Sequence, residues 1–399
     1  MSSVVKLKEL IKINNGKDYK ALGDGDIPVF GTGGLMTTVN DYLYDGESIL
    51  LPRKGTLDNI MYINGKFWTV DTMYWSEIFK EKVYPKYLYC YLSLLDLSSR
   101  DSGSTLPSMT FNAYYDLDIV LLDEKIQKKI GDLYFEITNK IENNKKINAE
   151  LESMAKTIYD YWFLQFEFPN EDGKPYKSSG GKMVWNEELK REIPEGWEVN
   201  KIGNTDIYVS DYTANGSFAG LADNVKYNEG EKYALLIRPV DFNTNFEKED
   251  SFIYVNKHGY EYLSKSKLFG DEIIICNVGA VGAVYRCPRL DIPMTLGPNG
   301  IVVNNKNYNH FISCHFKSEI GQQQLLSISS GSIQMKFNKT NFRDISIAFP
   351  TENILNAFNS LYGKLYDKQQ IIWRENRELA SLRDFLLPML MNGQVGFKD

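Results

Sequence analysis

"IQKKIGDLYFEITNKIENNKKINAELESMAKTI", residues 126–158, places apolar side chains at 126, 130, 133, 137, 147, 151, 154 and 158, with Lys140 and Asn144 filling the two remaining places of the series. The steps alternate four and three, which is the a and d spacing of a heptad. Kept up over this length, the spacing predicts a long helix packed against another as a coiled coil. Asp123 stands just before it as a candidate N-cap, because its carboxylate can accept N–H groups that find no partner inside the first turn.

The pattern returns 228 residues later as Ile354, Phe358, Leu361, Leu365, Lys368, Ile372, Glu375, Leu379, Leu382 and Leu386, with Thr351 as the candidate cap and Pro388 near the end. At the same offset "GSTLPSMTFNAYYDLDI" from Gly103 faces "GSIQMKFNKTNFRDISI" from Gly331, and Gly103/Gly331, Ser104/Ser332, Asp116/Asp344 and Lys140/Lys368 are identical. A fixed offset of this kind marks an internal duplication. "DLDIVLL" and "DISIAFP" are then the last strand before each helix.

Ahead of each helix lies a globular stretch. "ESILLPRKGTLDNIMYINGKFWTV" (47–70) and "DEIIICNVGAVGAVYRC" (271–287) both read as strand, glycine-containing turn, strand. Elsewhere the globes align poorly, and the second carries insertions such as "SDYTANGSFAGLADNVKYNEG". Between the halves, "FPNEDGKPYKSSGGKMVWNEELKREIPEGWEV" (168–199) has the Gly, Pro, Ser and Lys content of a solvated connector. The expected fold is α+β: two β-rich globular domains joined by two long helices in an antiparallel coiled coil, related as a pseudo-twofold tandem repeat. The expected segments are 1–122 and 197–350 for the globes, 123–167 and 351–392 for the helices, 168–196 for the linker and 393–399 for the tail.

Composition is consistent with this. With 399 residues, 43% hydrophobic and 24% charged, the chain suits two or three soluble domains, and 26 Tyr with 21 Phe favour strands. The net charge of −7 argues against a general nucleic-acid coat but allows a local basic face. Four cysteines without paired spacing, a first segment "MSSVVKLKELIKINNGK" without an apolar signal core, and no long apolar run point to a reduced, soluble, cytoplasmic protein.

An antiparallel helix pair would hold the globes at the two ends of a rod of roughly 50 Å at 1.5 Å per residue. On B-DNA, with about 34–36 Å per turn, that separates two readers by about one and a half turns. A duplicated frame carrying divergent globes suits a device that reads two different short sequences.

The linker, the repeated "GS" and "DISIAFPTENI" segments and the tandem order resemble the specificity (S) subunit of type I restriction-modification systems. The resemblance implies that each globe is a target-recognition domain reading one half of a bipartite site in double-stranded DNA. It further implies that the helices set the gap and dock two methyltransferase (M) subunits, which restriction (R) subunits join. S-adenosylmethionine, ATP and Mg are then expected on those partners, and no cofactor in this chain. A coiled-coil scaffold that binds only proteins is the alternative.

Motifs for independent catalysis are missing. The sequence has no GxxxxGK[ST] phosphate loop and no methyltransferase NPPY-like motif. "FGTGG" (30–34) lacks the spacing of a dinucleotide loop and reads as a turn, and "PRKG" lacks a nuclease's carboxylate pair. "HFISCH" places His310, Cys314 and His315 together, but not at structural-zinc spacing. The chain is therefore read as noncatalytic, with no metal site.

DNA reading needs side chains that reach base edges, Arg or Lys to guanine and Asn or Gln to adenine, together with phosphate contacts that set register. In the first globe the candidates are Arg53, Lys54, Thr56 and Lys66, taken as grouped around one turn. In the second they are Arg238, Asn277, Tyr285, Arg286, Gln334 and Lys336. Ser104 and Ser332, in the repeated Gly-Ser pairs, are candidates for backbone contacts to phosphate.

Overall fold

The computed structural model describes residues 3–97, 107–243, 246, 251–331 and 335–397. They form two compact units, Met1–Glu142 with Glu378–Asp399, and Asn143–Arg377. Two long helices contribute to both units. The first is Glu124–Tyr159, extended by a π-helical turn Asp160–Leu164, and the second is Glu352–Met391. The first helix therefore stops short of the expected residue 167, and Phe166 turns the chain with a left-handed φ of 62°. Asp123 caps it as expected, accepting the Lys125 N–H at 3.0 Å. The second helix runs less than one turn past Pro388.

The first unit has eight strands: β1 (Ser3–Lys6), β2 (Ile11–Asn15), β3 (Ile27–Gly31), β4 (Gly34–Val39), β5 (Tyr44–Pro52), β6 (Met61–Thr69), β7 (Met73–Ile78) and β8 (Asp118–Leu121). Six of them form one sheet in the order β2-β7-β5-β6-β3-β4, and β1 pairs antiparallel with β8. The expected strand-turn-strand at 47–70 is the β5/β6 hairpin. Helix Pro85–Ser93, started by a proline whose missing N–H costs nothing at that position, covers the sheet and packs on the long helix. Gly131 permits the close approach, since a Cβ there would stand 3.0 Å from the Tyr87 nitrogen. Tyr84 and Lys86 then bind Asp132 at 2.6 and 2.9 Å.

The second unit carries β9 (Met183–Asn186), β10 (Arg191–Pro194), β11 (Glu198–Lys201), β12 (Tyr208–Asp211), β13 (Ala234–Ile237), β14 (Tyr254–Val255), β15 (Lys267–Leu268), β16 (Ile273–Cys276), β17 (Val284–Arg286), β18 (Met294–Leu296), β19 (Gly300–Asn304) and β20 (Ser346–Phe349). Two four-stranded sheets have the orders β12-β19-β16-β17 and β14-β13-β18-β15. The segment expected to be a solvated connector is folded: β9 and β10 form a hairpin, and Phe168, Ile193 and Trp197 are buried in the unit's main core. Phe168 stacks between Tyr176 and Trp197, while its lysines and serines stay at the surface. The polar composition hid an aromatic spine.

The duplication reaches further into the globes than sequence alignment suggests. β12-β19-β16-β17 repeats β2-β7-β5-β6. Helix Asn309–Lys317 repeats Pro85–Ser93, so Cys90 and Cys314 occupy one position and both are buried. Leu7 N–H donates to Leu117 O at 2.9 Å, and Ile202 N–H to Ile345 O at 3.0 Å. Short helices Phe111–Tyr115 and Lys339–Arg343 begin on Thr110 and Asn338, each capping through its side chain. What differs is the insertion: the β3/β4 hairpin in the first unit, and the sheet β14-β13-β18-β15 with its helices in the second.

The helix seam holds in one column and is displaced by one residue in the other. Ile130, Ile137 and Asn144, with Phe358 and Ile372, are buried as expected. Beside them Ile141, Ala155, Tyr362 and Asn376 take the interior places expected for Lys140, Met154, Leu361 and Glu375. Met154 and Leu361 are exposed, as is Ile147. The apolar stripe is broader than one seam, so either phase fits the sequence, and packing selects one. Pairing is antiparallel within each unit: Ile137 and Ile141 meet Ala380 in the first, and Gln369 Nε2 donates to Asn148 O in the second.

Asn144, expected as a polar interruption, is 1% exposed and donates from Nδ2 to Asn376 Oδ1 and Glu375 Oε2, both at 2.8 Å. A buried amide in a helix seam is satisfied in one register only. Asn144→Leu is expected to cost about 1–3 kcal/mol in urea unfolding, because it strips two hydrogen bonds from buried or half-buried partners; a neutral or stabilised variant would show that packing alone fixes the register.

Candidate nucleic-acid interface

In the first unit the chain leaves β5 into loop 53–60, which is held on three sides. Arg53 and Lys54 N–H donate to Thr72 O at 2.8 and 3.3 Å, in the β6–β7 turn. Gly55 N–H donates to Pro107 O and Met109 N–H to Arg53 O, at 2.9 and 3.0 Å, tying the loop to the segment that leads into the last strand. Asn59 Nδ2 donates to Thr32 O at 2.6 Å in the tip of the β3/β4 hairpin. Gly55 has φ of 93°, which a side-chain-bearing residue adopts only under strain. The loop is thus a fixed platform that presents Lys54 and Thr56 to solvent. Arg53 lies half-buried beside them, with Nη1 3.3 Å from Asp71 O and the guanidinium carbon 5.9 Å from the Tyr74 ring centre.

The second unit repeats the arrangement. Asn277 N–H donates to Asn299 O and Phe337 N–H to Asn277 O, both at 3.2 Å, and Val278 pairs with Lys336 as Lys54 pairs with Ser108. Asn277 is therefore the structural counterpart of Arg53, Asn299 of Thr72 and Lys336 of Ser108. Asn277 Nδ2 donates to Phe337 O at 3.1 Å, while its buried Oδ1 has no hydrogen-bond partner. Lys336 is exposed.

The structure gathers Arg53, Lys54 and Thr56 at one loop, and Asn277 with Lys336 at the other. Arg238 and Tyr285 line a cleft beside the second loop, together with Val278 and Asn299. Arg238 is held by the buried Asp241 carboxylate at 2.6 Å and by Ser251 O at 2.8 Å, and Tyr285 stacks on Phe242 at 4.3 Å. Two candidates lie elsewhere. Lys66 faces Asp45 across β5/β6, five residues beyond Met61, or about 17 Å along the strand, and its ammonium sits over Tyr42. A long strand, not a turn, separates it from Thr56. Arg286 ends β17 opposite Ile273, away from the 277–283 loop, donates to Asp271 O at 3.0 Å and packs over Tyr366 at 4.3 Å. That places it in the seam between sheet and helix, as a fastening. Ser104, Ser332 and Gln334 lie outside the described residues.

Sequence reading missed the Thr72 and Asn299 turns and the Thr32-Gly33 tip as parts of the site. The tip was read correctly as a turn, and only the fold shows that it touches loop 53–60. Asn299 has φ of 72°, a conformation for which "PNG" is a local signal.

Of the remaining reactive groups, His315 and the four cysteines are buried, His310 is half-buried and His258 is exposed. His315 lies between Tyr159 Oη and Gln324 Oε1 at 3.1 and 2.7 Å, and His310 meets Arg286 Nη1 at 3.1 Å. Burial pushes both imidazoles down to about 4, with Arg286 adding to the effect at His310. Burial likewise raises the thiols of Cys276 and Cys314 to about 11 and Cys90 to about 12. Among the described residues no cluster of metal-ligating side chains occurs, and no helix is long and apolar enough to cross a membrane.

Two copies of one sheet frame, each presenting a clamped loop with different side chains and each continued by a long helix, define a tandem recognition protein. The family described as Type I restriction modification DNA specificity domain matches residues 2–153. The MjaIX type I restriction enzyme specificity subunit of Methanocaldococcus jannaschii is 26% identical over 98% of this chain and 85% of its own length. The HindI specificity subunit of Haemophilus influenzae is 21% identical over 78% of each. The type I S subunit from M. genitalium shares the fold, with a TM-score of 0.62 at 14% identity over 100% of this chain and 96% of that one. The chain thus resembles type I restriction enzyme specificity subunits along nearly its whole length, with the specificity-domain match confined to residues 2–153.

Proposed function

We propose that the chain is the sequence-recognition subunit of a type I restriction-modification complex, noncatalytic by itself, and that each unit reads one half of a bipartite target in double-stranded DNA. It works with two M subunits and with R subunits, and S-adenosylmethionine, ATP and Mg act on those partners. The observation that carries this reading is the shared loop seat: two matching backbone bonds and one matching bridge hold Arg53-Lys54 in one unit and Asn277-Val278 in the other. A common seat with different side chains suits two readers with different half-sites: Arg53 can fork to guanine, whereas the Asn277 amide is turned in to Phe337 O and leaves the exposed Lys336 to face the duplex in the second unit.

The test is genome-wide methylation mapping in cells carrying the complete system. A bipartite motif is expected. Arg53→Ala is expected to relax one half-site and leave the other intact, at a cost of about 1–3 kcal/mol for the cognate duplex. Lys54→Ala should weaken binding to all sequences alike and flatten the salt dependence. A continuous motif, or an Arg53→Ala motif unchanged in both halves, would refute the assignment.

A further inference from the structure

The 143–377 unit has a cavity of about 120 Å³ between the π-helical turn, the β9/β10 hairpin, β20 and the helices Asn309–Lys317 and Glu319–Ser327. Leu164, Leu189, Ile320 and Ala348 give it apolar walls. The imidazole beside it is satisfied: His315 is held by Tyr159 and Gln324, and Gln324 Nε2 donates to Ser346 O at 3.0 Å. Two other lining residues are not. The Trp197 N–H is buried without a hydrogen-bond partner, on a side chain that is 8% exposed. Arg191 is half-buried with its guanidinium carbon 4.8 Å from the centre of the Phe166 ring, and among the described residues it has neither a side-chain hydrogen bond nor an ion pair.

An orphaned buried donor and an unpaired cation are each costly, and folded proteins rarely carry them together without a ligand or ordered solvent. The carboxylates nearby are spent elsewhere. Glu188 accepts from Ser346 Oγ, Asp160 pairs with Lys156, and Glu192 lies on the other face of β10, opposite Trp185. Burial lowers the Arg191 guanidinium from its ordinary range, and what opposes the drop is the Tyr159 phenol, not a carboxylate. Water in the cavity could accept from both N–H groups but would leave the charge uncompensated against apolar walls. Phosphate or sulfate would press its remaining oxygens on Leu164, Leu189 and Ile320. A carboxylate brings the charge and two oxygens that match the guanidinium fork, and its stem suits the walls. Since a cavity of about 150 Å³ takes benzene, this one takes a stem of about two to four carbons.

We propose that this cavity binds a carboxylate carried on a short aliphatic stem, with Arg191 forking to its oxygens and the Trp197 N–H as a further donor. The site is separate from the recognition loops and does not rest on the DNA-reading function. Two sources carry the same group: a free short-chain organic acid, and a glutamate side chain of a partner subunit.

The probe is butyrate, added to the full chain isotope-labelled at its tryptophan indole nitrogens, with the Trp197 resonance assigned by Trp197→Phe. The expected result is a saturable shift of that resonance with half-saturation at about 1 mM, as suits a ligand of about six heavy atoms. Butyramide, and chloride at equal ionic strength, should leave it in place. Arg191→Gln should weaken butyrate roughly tenfold, and Arg191→Lys, which keeps the charge without the fork, should fall between. Thermal unfolding of both variants without butyrate should match the parent, since no ion pair is lost, and butyrate should raise the parent's midpoint more than that of Arg191→Gln. A parent resonance unmoved at about a hundred times that concentration overturns the site. So does a shift that butyramide reproduces or that Arg191→Gln leaves unchanged. In the complete complex with its M subunits, a resonance that still answers butyrate assigns the site to a soluble acid. One already displaced in the complex, and unresponsive to butyrate until the M subunits are removed, assigns it to a side chain of the partner. No arm contains DNA, so a failed half-site assignment and a failed carboxylate site are told apart.

Discussion

Phe358→Ala is expected to destabilise the 143–377 unit by about 3–5 kcal/mol, the range for emptying an aromatic site in a packed core. Phe358 is 0% exposed and is the hub of a ring cluster: Phe163 stands edge-on at 4.8 Å, Tyr362 at 5.3 Å and Trp162 at 6.0 Å. Those neighbours come from the π-helical turn and the second long helix, which pack on the folded linker through Phe163 and Trp197. The site cannot collapse without moving a helix, so little of the cavity will be recovered. Phe358→Leu, which keeps most of the volume, should cost less than half as much. Urea unfolding followed by tryptophan emission, in a background with Trp68 and Trp75 of the first unit replaced by Phe, reports the unit, because Trp162 and Trp197 lie in the same core. A loss below about 1 kcal/mol for the alanine variant would show that the cluster is not the core of this unit.

How much of this could be read without coordinates depended on the kind of signal. Period and offset survive in a sequence even when identity is low, so the long helices, the cap at Asp123 and the strands before each helix were all legible. The phase of the seam was not. Ile126, Ile147 and Met154 widen the apolar stripe on the first helix, and only burial distinguishes Ile141 from Lys140 as the interior position. Composition misled at the linker, where Phe168, Tyr176 and Trp197 are few among many polar residues yet decide the packing.

The geometry of the candidate loops was half legible for a similar reason. A loop leaving a strand is visible as a glycine between two β runs, and Arg53, Lys54, Thr56 and Asn277 followed from that. Clamping is nonlocal: Thr72, Asn299 and Thr32 reach these loops through backbone hydrogen bonds that leave no trace in residue type. Arg238 and Arg286 show the converse. Their charge suggests phosphate, while their partners, Asp241 in one case and Asp271 O with His310 in the other, are met only in the folded chain.

Acidification from pH 7.5 to 4.5 is expected to weaken the 143–377 unit well before most carboxylates titrate. The cause is His315, 7% exposed and satisfied as a neutral ring. Gln324 Nε2 donates to Ser346 O, which leaves Oε1 as the acceptor for His315 Nε2–H, and Nδ1 then accepts from Tyr159 O–H. Burial is the main cause of its drop to about 4, Arg191 adds to it, and the Gln324 bond opposes it. The unfolded chain takes up a proton near 6.5 while the folded ring resists until about 4, so stability is full above 6.5 and falls as pH drops through the window between. The gap corresponds to about 3 kcal/mol at 1.36 kcal/mol per unit. His310 acts in the same direction, facing Arg286 and Arg289 with Asp271 and Asp367 opposing; it is half-buried and should add less. Carboxylates held low by partners, such as Asp132 beside Tyr84 and Lys86, belong to the other unit and lose their contribution only at lower pH. Urea midpoints measured across this window in the parent and in His315→Gln should therefore diverge: the variant starts less stable at pH 7.5, because it disturbs the Tyr159 and Gln324 contacts, yet loses less on acidification. Equal slopes in the two proteins would mean that the ring takes up its proton in the folded state as easily as in the unfolded one.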